Sequence, residues 1–319
     1  FSKFAFGSIK IALTEPADIV FATTTPLTVA FPGIIARWFR RKPFVFEVRD
    51  LWPELPKAMN VITNPLFLWF LSCFEWLSYH SANRLIGLSP GIVDGIVSRG
   101  VSESKVKLVP NGSDLSIFSD NITPNRPDGV GDDQILAVYT GTHGVANGLE
   151  AVLNTANILK QRKRNDIVFA LVGKGHEKLS LQEKAISLKL DNIIFIEPIP
   201  KLELSGLLAG ADIGMQVLKN VPAFYYGTSP NKFFDYLSAG LPVLSNYPGW
   251  ISDLICENNC GLLVPPDDPV AFADALILAS ENKENLRIMG FQARKLAETE
   301  FSRELLANVW IEWVLGVNK

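Results

Sequence analysis

Cysteine is nearly absent from the 319 residues. Cys73, Cys256 and Cys260 are too few for a disulfide framework, which points to a reducing compartment. Cys256 and Cys260 lie four apart, but no second Cys pair or nearby His completes a zinc set, so they read as structural thiols. A basic excess is missing too. The net charge of −3 leaves no electrostatic footprint for nucleic acid. The halves differ slightly: residues 1–119 carry 12 Lys and Arg against 9 Asp and Glu, and the remainder 18 against 24. That weak basic bias suits an anionic membrane surface or an anionic substrate. Long hydrophobic runs do not occur: in the most apolar stretch, 64–86, the run from Leu66 to Leu77 is interrupted by Glu75 and is too short to span a bilayer. Its aromatics Phe67, Trp69, Phe70, Phe74 and Trp76 spread around a helix, which favours burial on several sides over a helix lying at a membrane interface. A metal-binding His pair, a P-loop and a dinucleotide fingerprint are all lacking, which weighs against metalloenzyme chemistry. The chain starts at Phe1 with no signal-peptide pattern and reads as a fragment.

What is present is alternation. At 48% hydrophobic and 20% charged, the chain suits two ordinary domains. Strands are predicted within 17–26, 43–54, 83–90 and 106–114, with a helix over 27–41. A stretch rich in Asp, Asn, Pro and Gly, 119–133, reads as a linker. Strands then resume within 134–144, 166–175, 192–200, 211–219, 241–246 and 260–266, with helices over 148–162, 269–282, 284–299 and 302–317. The expected fold is α/β, two doubly wound Rossmann-like domains in tandem: 1–118, partial at its start, and 134–300, with a C-terminal helix at 301–319 that packs back on the first. Such domains bind ligands at the C-terminal ends of their strands.

Candidate chemistry sits in three loops. In "SPNKFFDYLSAGLPVL" (229–244), Ser229 is expected to cap a helix opened by Pro230 and closed by Gly240 and Pro242. Lys232 stands in the first turn, where a cation is unfavourable by roughly 0.3–1 kcal/mol. Either it makes a surface pair with Asp235 at i, i+3, or an anion sits at the helix tip, with Asn231 donating and Asp235 one turn deeper on a sugar hydroxyl pair. In "TGTHGVANG" (140–148), Gly141 and Gly144 allow close backbone approach, and His143 is either a ligand or merely solvated. "VGKG" (172–175) is a second glycine loop. In "VRDLWPE" (48–54), Arg49, Asp50 and Glu54 follow a buried strand, so Asp50 could act on an acceptor hydroxyl and Arg49 could hold an anion. The bland alternative is a strand-end salt bridge.

Taken in order, these segments resemble family 4 glycosyltransferases of the GT-B fold. "VRDLWPE", "VKLVPNGSDLSIF", "YTGTHG", "FALVGKG", "SPNKFFDYLSAGLPVL" and "FSRELLANVW" all match the family's motif order. The bacterial branch transferring N-acetylfucosamine-type sugars in O-antigen, capsule or colanic-acid assembly is the most similar, through Asp-Leu-Trp-Pro and Ser-Pro-Asn-Lys. The resemblance implies a retaining, metal-independent hexosyltransferase without cofactor. Its donor would be a nucleotide-diphosphate sugar and its acceptor a lipid-linked saccharide. It would be cytoplasmic, with peripheral contact to the anionic inner membrane face and no nucleic-acid partner. Lys232 would hold the diphosphate and Asp235 the ribose. Gly141, Thr142, His143, Gly144, Asn147, Gly173, Gly175, Ser229 and Asn231 would complete the donor site. Asp50 and Arg49 would join Lys232 in catalysis, with Glu54 and Asn111 on the acceptor side. Departures exist: Gly227 stands where the family's first carboxylate would be, and His143 and Asn147 occupy a loop that usually carries Arg and Lys. The resemblance also implies that the start of the first domain, with its glycine-rich loop, is missing, which would leave this chain inactive by itself. Two other readings are a nucleotide-sugar 2-epimerase of the same fold and a non-catalytic nucleotide-sugar-binding protein.

Overall fold

The computed structural model describes residues 2–119 and 121–316; residues 1, 120 and 317–319, including one position of the expected linker and the last of the expected C-terminal helix, lie outside the described residues. Two compact units form. The first comprises the chain up to Asn111 together with Val221–Ser229 and the segment from Leu305 onward; the second comprises Gly112–Asn220 and Pro230–Glu304. The division therefore falls before the predicted linker. Arg126 of that linker donates to the carbonyls of Gly210 and Gln134 and meets Asp212 at 3.3 Å, which holds the stretch on the second unit.

In the first unit the order is α1 (Ser2–Thr14), β1 (Val20–Thr23), α2 (Ala30–Phe39), β2 (Phe44–Val48), α3 (Glu54–Ala58), α4 (Pro65–Ser81), β3 (Arg84–Gly87), α5 (Pro90–Ser98) and β4 (Val106–Leu108). The four strands pair in parallel in sequence order. Phe44, Val45, Phe46 and Val48 are all buried, as expected of a parallel strand covered on both faces. Helix α4 starts where Asn64 accepts from the backbone N–H groups of Leu66 and Phe67 with Pro65 behind it, a strong start signal. Of the aromatics expected to be buried, Phe74 packs partly buried against the core, whereas Phe67, Trp69, Phe70 and Trp76 are exposed, as is Leu66; Leu71, Glu75, Ser78 and Tyr79 face inward.

The second unit runs β5 (Ile135–Thr140), α6 (Glu150–Gln161), β6 (Ile167–Val172), α7 (Lys178–Ser187), β7 (Ile193–Ile196), α8 (Lys201–Ala209) and β8 (Ile213–Gln216). The chain then gives α9 (Pro222–Gly227) to the first unit. It resumes with α10 (Asn231–Ser238), β9 (Val243–Ser245), α11 (Trp250–Glu257), β10 (Gly261–Leu263), α12 (Pro269–Glu281) and α13 (Lys283–Glu300). The last helix, α14 (Arg303–Leu315), ends among residues of the first unit, where Arg84 donates to the Trp313 carbonyl and Trp313 Nε1 to that of Leu85. All six strands are parallel in the order β10-β9-β8-β5-β6-β7. Chain direction across the sheet reverses between β5 and β8, and ligands bind at such a switch point, outside the strands' C-terminal ends.

Tyr236 fixes α10 at this point. Its ring fills the space above Gly214 of β8, where a Cβ would come within 2.5 Å of the ring. Its hydroxyl accepts from the Thr140 N–H of β5 at 2.9 Å. Replacing Tyr236 by Phe orphans that buried N–H and is expected to cost about 1–3 kcal/mol in denaturant unfolding with no change in slope.

Candidate functional site

Helix α10 begins at the switch point without a side-chain cap. Pro230, not Ser229, is its N-cap residue, and the Ser229 hydroxyl instead accepts from the Asn111 N–H at 3.1 Å. The expected Ser229 cap is thus corrected, because a proline at that place supplies the extended backbone while Ser229 is spent on Asn111. The helix does end at Gly240, whose φ of +65° fits the left-handed residue after a C-cap. An uncapped start leaves the first backbone N–H groups free for an anion.

Lys232 does not make the surface pair with Asp235. Its ammonium lies over the Tyr139 ring, 3.8 Å from the centroid, and 3.4 Å from Asn147 Oδ1. Burial pushes it down to about 7. Asp235 faces the other way, receiving the Ser113 hydroxyl at 2.7 Å and the Lys201 ammonium at 3.1 Å. The Thr142 carbonyl accepts from both the Tyr139 hydroxyl and Asn147 Nδ2, so one peptide oxygen sets the ring and the amide that flank Lys232.

The two glycine loops are zipped edge to edge. Gly141 N–H donates to the Val172 carbonyl and His143 N–H to that of Lys174, each at 2.9 Å. Gly175 packs so closely that a Cβ there would lie 2.1 Å from the His143 carbonyl oxygen. His143 is fully buried with neither ring nitrogen in a hydrogen bond of ordinary geometry, and burial, then the charges of Lys178 and Lys232, hold it below the usual imidazole range. The merely solvated histidine is therefore not what is found. Gly144 lies beside His176, and Asn231 is exposed. A cavity of about 500 Å³ opens beside the start of α6, lined by Glu150, Lys184, Lys219 and Asp267 among others; none of the residues nominated for donor binding lines it.

In the first unit Asp50 accepts from the Thr25 hydroxyl at 2.6 Å, while Arg49 lies 3.7 Å from Glu47. Arg49 and Asp50 are not paired with each other, and both are partly exposed. Glu54 is spent on Arg99, which also binds Glu75. Asn111 is brought to Ser229, donating through Nδ2 to its carbonyl. Lys178 was not foreseen: it is buried and joins the Gly173 carbonyl at 3.0 Å to Glu197 at 2.6 Å. Nothing marks Tyr139, Lys201 or Ser113 in the sequence either, since each reads as an ordinary strand, helix or turn residue. Among the described residues no group of three or more His, Cys, Asp or Glu converges as a metal site.

Residues 124–296 match the family model "Glycosyl transferases group 1", and residues 3–112 match a "Glycosyl transferase 4-like domain". The chain belongs to the group 1 glycosyltransferases. The Pseudomonas aeruginosa protein named "Probable glycosyltransferase WbjE" is 24% identical over 283 residues, covering 86% of this chain and 68% of that protein. A D-inositol 3-phosphate glycosyltransferase of Paenarthrobacter aurescens is 24% identical over 227 residues, 68% of this chain and 54% of the relative. Among solved structures, Anabaena HepE in complex with UDP has a TM-score of 0.74 at 16% identity, covering 98% of this chain and 80% of that one. That likeness shows the fold: this glycosyltransferase has the two parallel-sheet α/β units of GT-B. 

Proposed function

We propose that this group 1 glycosyltransferase transfers a hexosyl group, with retention and without a metal, from a nucleotide-diphosphate sugar to a lipid-linked saccharide in bacterial surface-polysaccharide assembly, working at the inner face of the cytoplasmic membrane. The observation that carries the reading is Lys232, a half-buried amine without a carboxylate partner among the described contacts, at the uncapped start of a helix on the sheet's switch point. An amine so placed is unfavourable until an anion arrives, and a diphosphate supplies one. Its charge and the helix tip would stabilise the negative charge that grows on the departing nucleotide diphosphate, a gain realised mainly in the transition state. Asp235 would hold the ribose through its remaining lone pairs, oriented by Lys201 and Ser113. Asp50, set by Thr25, would act on the acceptor hydroxyl, and Arg49 would meet an anionic acceptor. HepE binds UDP and UDP-glucose in structures of this fold, which supports a nucleotide-sugar donor here. The sugar branch, N-acetylfucosamine-type, follows the motif resemblance, and the Escherichia coli relative named "Putative colanic acid biosynthesis glycosyl transferase WcaI" supports the surface-polysaccharide role.

Titration calorimetry against nucleotide-diphosphate sugars tests the donor site. One saturable site, weakened at least tenfold by Lys232→Met, is expected; equal affinity in both proteins would sink the assignment. Incubating the donor with and without a lipid-linked saccharide separates transfer from epimerisation, since an epimer formed without acceptor contradicts the transferase reading.

A further inference from the structure

Helix α4 turns its most apolar stripe outward. Leu66, Trp69, Phe70, Cys73, Trp76, Leu77 and His80 follow the i, i+3, i+4 spacing of a single stripe, and that stripe faces outward: Leu66 is 73%, Trp69 65% and Trp76 51% exposed. The opposite stripe holds the helix's buried polar groups alongside Leu71 and Tyr79. Glu75 is fully buried with Arg99 at 2.9 Å, Ser78 is fully buried with its hydroxyl on the Phe74 carbonyl, and Ser81 is buried with its hydroxyl accepting from Trp38 Nε1. A surface helix of a water-soluble protein puts these classes the other way round. Helix α4 meets the rest of its unit through this mixed inner stripe, where Tyr79 packs on Phe46 and the partly buried Phe74 joins the core.

The same surface continues onto the end of α2, pinned beside α4 by the bond from Trp38 to Ser81 at 3.1 Å. Trp38 and Phe39 are 66% and 78% exposed there. They stand in "RWFRRK" (37–42), four cations in six residues with no acid among them. Arg41 is exposed, Arg37 and Lys42 partly so, and Arg40 is anchored on the carbonyls of Ala12 and Glu15. Across 30–42 and 61–82 the sole acid is Glu75, and it is buried.

We propose that the outward stripe of α4, together with the aromatic and basic end of α2, is the surface by which the protein lies on an anionic phospholipid bilayer. Seventeen residues make a rod of about 25 Å. No helix among the described residues is long and apolar enough to cross a membrane, so α4 rests in the plane of the interface. Trp and Phe favour that layer, and an adjoining cluster of four cations, with the exposed Glu15 beside Arg40 as its acidic neighbour, fits lipid headgroups of negative charge. A protein partner for the stripe would find no charge on α4 to read. The assignment deepens the proposed lipid-linked acceptor, because an enzyme with such an acceptor works at a membrane surface.

Co-sedimentation of the intact chain with vesicles tests it, comparing pure phosphatidylcholine with a 70:30 mixture of phosphatidylcholine and phosphatidylglycerol at 0.15 M salt. The chain is expected to pellet with the mixed vesicles and at least tenfold less with the neutral ones. Brominated lipid should quench its tryptophan fluorescence. Trp69→Ser with Trp76→Ser should lower binding at least tenfold, and Arg41→Glu with Lys42→Glu should abolish the preference for anionic lipid. These side chains are exposed, so near-UV dichroism and donor calorimetry serve as fold checks. A chain that stays in the supernatant, or aromatic variants that pellet like the parent, overturns the proposal. So does a concentration-dependent dimer that the aromatic variants dissolve, since the stripe would then bind a second copy. Donor binding without vesicle binding removes the membrane surface alone; vesicle binding without donor binding removes the transferase reading alone.

Discussion

Replacing Lys232 by Met lowers kcat/KM for sugar transfer by about 10²- to 10³-fold, equivalent to about 2.7–4 kcal/mol of lost charge stabilisation. The side chains are of similar length, so the packing on Tyr139 survives and the loss falls on charge. Stability moves the opposite way. Burial holds the free amine at about 7, against an ordinary value of 10.5. Between those two pH values the folded protein keeps the amine neutral while the unfolded chain keeps it protonated. The unfolded state therefore binds more protons, and stability rises as pH climbs through the window. Below pH 7 the full penalty of a buried charge is present. Lys232→Met removes it, so the variant should melt above the parent at pH 6, with the gap closing toward pH 10. Activity reports the same group with the reverse sign. The protonated fraction of the free enzyme falls up to tenfold per unit above pH 7, and kcat/KM of the parent should fall with it. Lys232→Arg, always charged, should lose that descending limb. A parent profile flat from pH 7 to 9 would mean that Lys232 carries no charge to the diphosphate.

Every strand lies inside a stretch that local pattern alone points to, because buried parallel strands are short apolar runs bounded by turn residues. Their order is another matter. That β5 pairs with β8, and that Tyr236 meets Thr140 there across 96 residues of chain, is encoded in no local pattern. Helix α4 shows the limit most clearly. Its composition says aromatic and hence buried; only the register against Arg99 and Trp38 reveals that Glu75 and Ser81 turn inward and the Trp69 and Trp76 stripe outward. In the candidate site, Lys232 was legible because it is misplaced for an isolated helix, and Gly141 and Asn147 because they follow a strand. Tyr139 was not, since the next-to-last residue of a buried strand looks like core until a cation is found on its face. Nor were Lys201 and Ser113, which reach Asp235 from 34 and 122 residues away.

Gly173 carries the other large effect. Its place after a strand at the sheet's ligand edge invites the explanation that a phosphate must approach the backbone, and on that account Gly173→Ala would weaken donor binding and leave stability alone. The geometry requires more. Gly173 has φ of +145°, where L side chains are strained, and an added Cβ would stand 1.8 Å from the Gly141 carbonyl oxygen. That oxygen cannot withdraw cheaply, because its loop is stitched to the next by the bonds from Gly141 to Val172 and from His143 to Lys174. Gly173 is held in turn: its N–H donates to the Ile196 carbonyl and its own carbonyl accepts from Lys178. Gly173→Ala should therefore cost about 3 kcal/mol or more in denaturant unfolding, in the range reserved for strained backbone and core overpacking. Donor affinity should fall with it, because the shifted loop carries Thr142, whose carbonyl sets both Tyr139 and Asn147. Gly227→Ala is the matched control. Nothing lies within 4 Å of its ideal Cβ and its φ is not positive, so its stability should change by no more than about 0.5 kcal/mol. Equal stabilities for the two variants would show that Gly173 serves ligand approach alone.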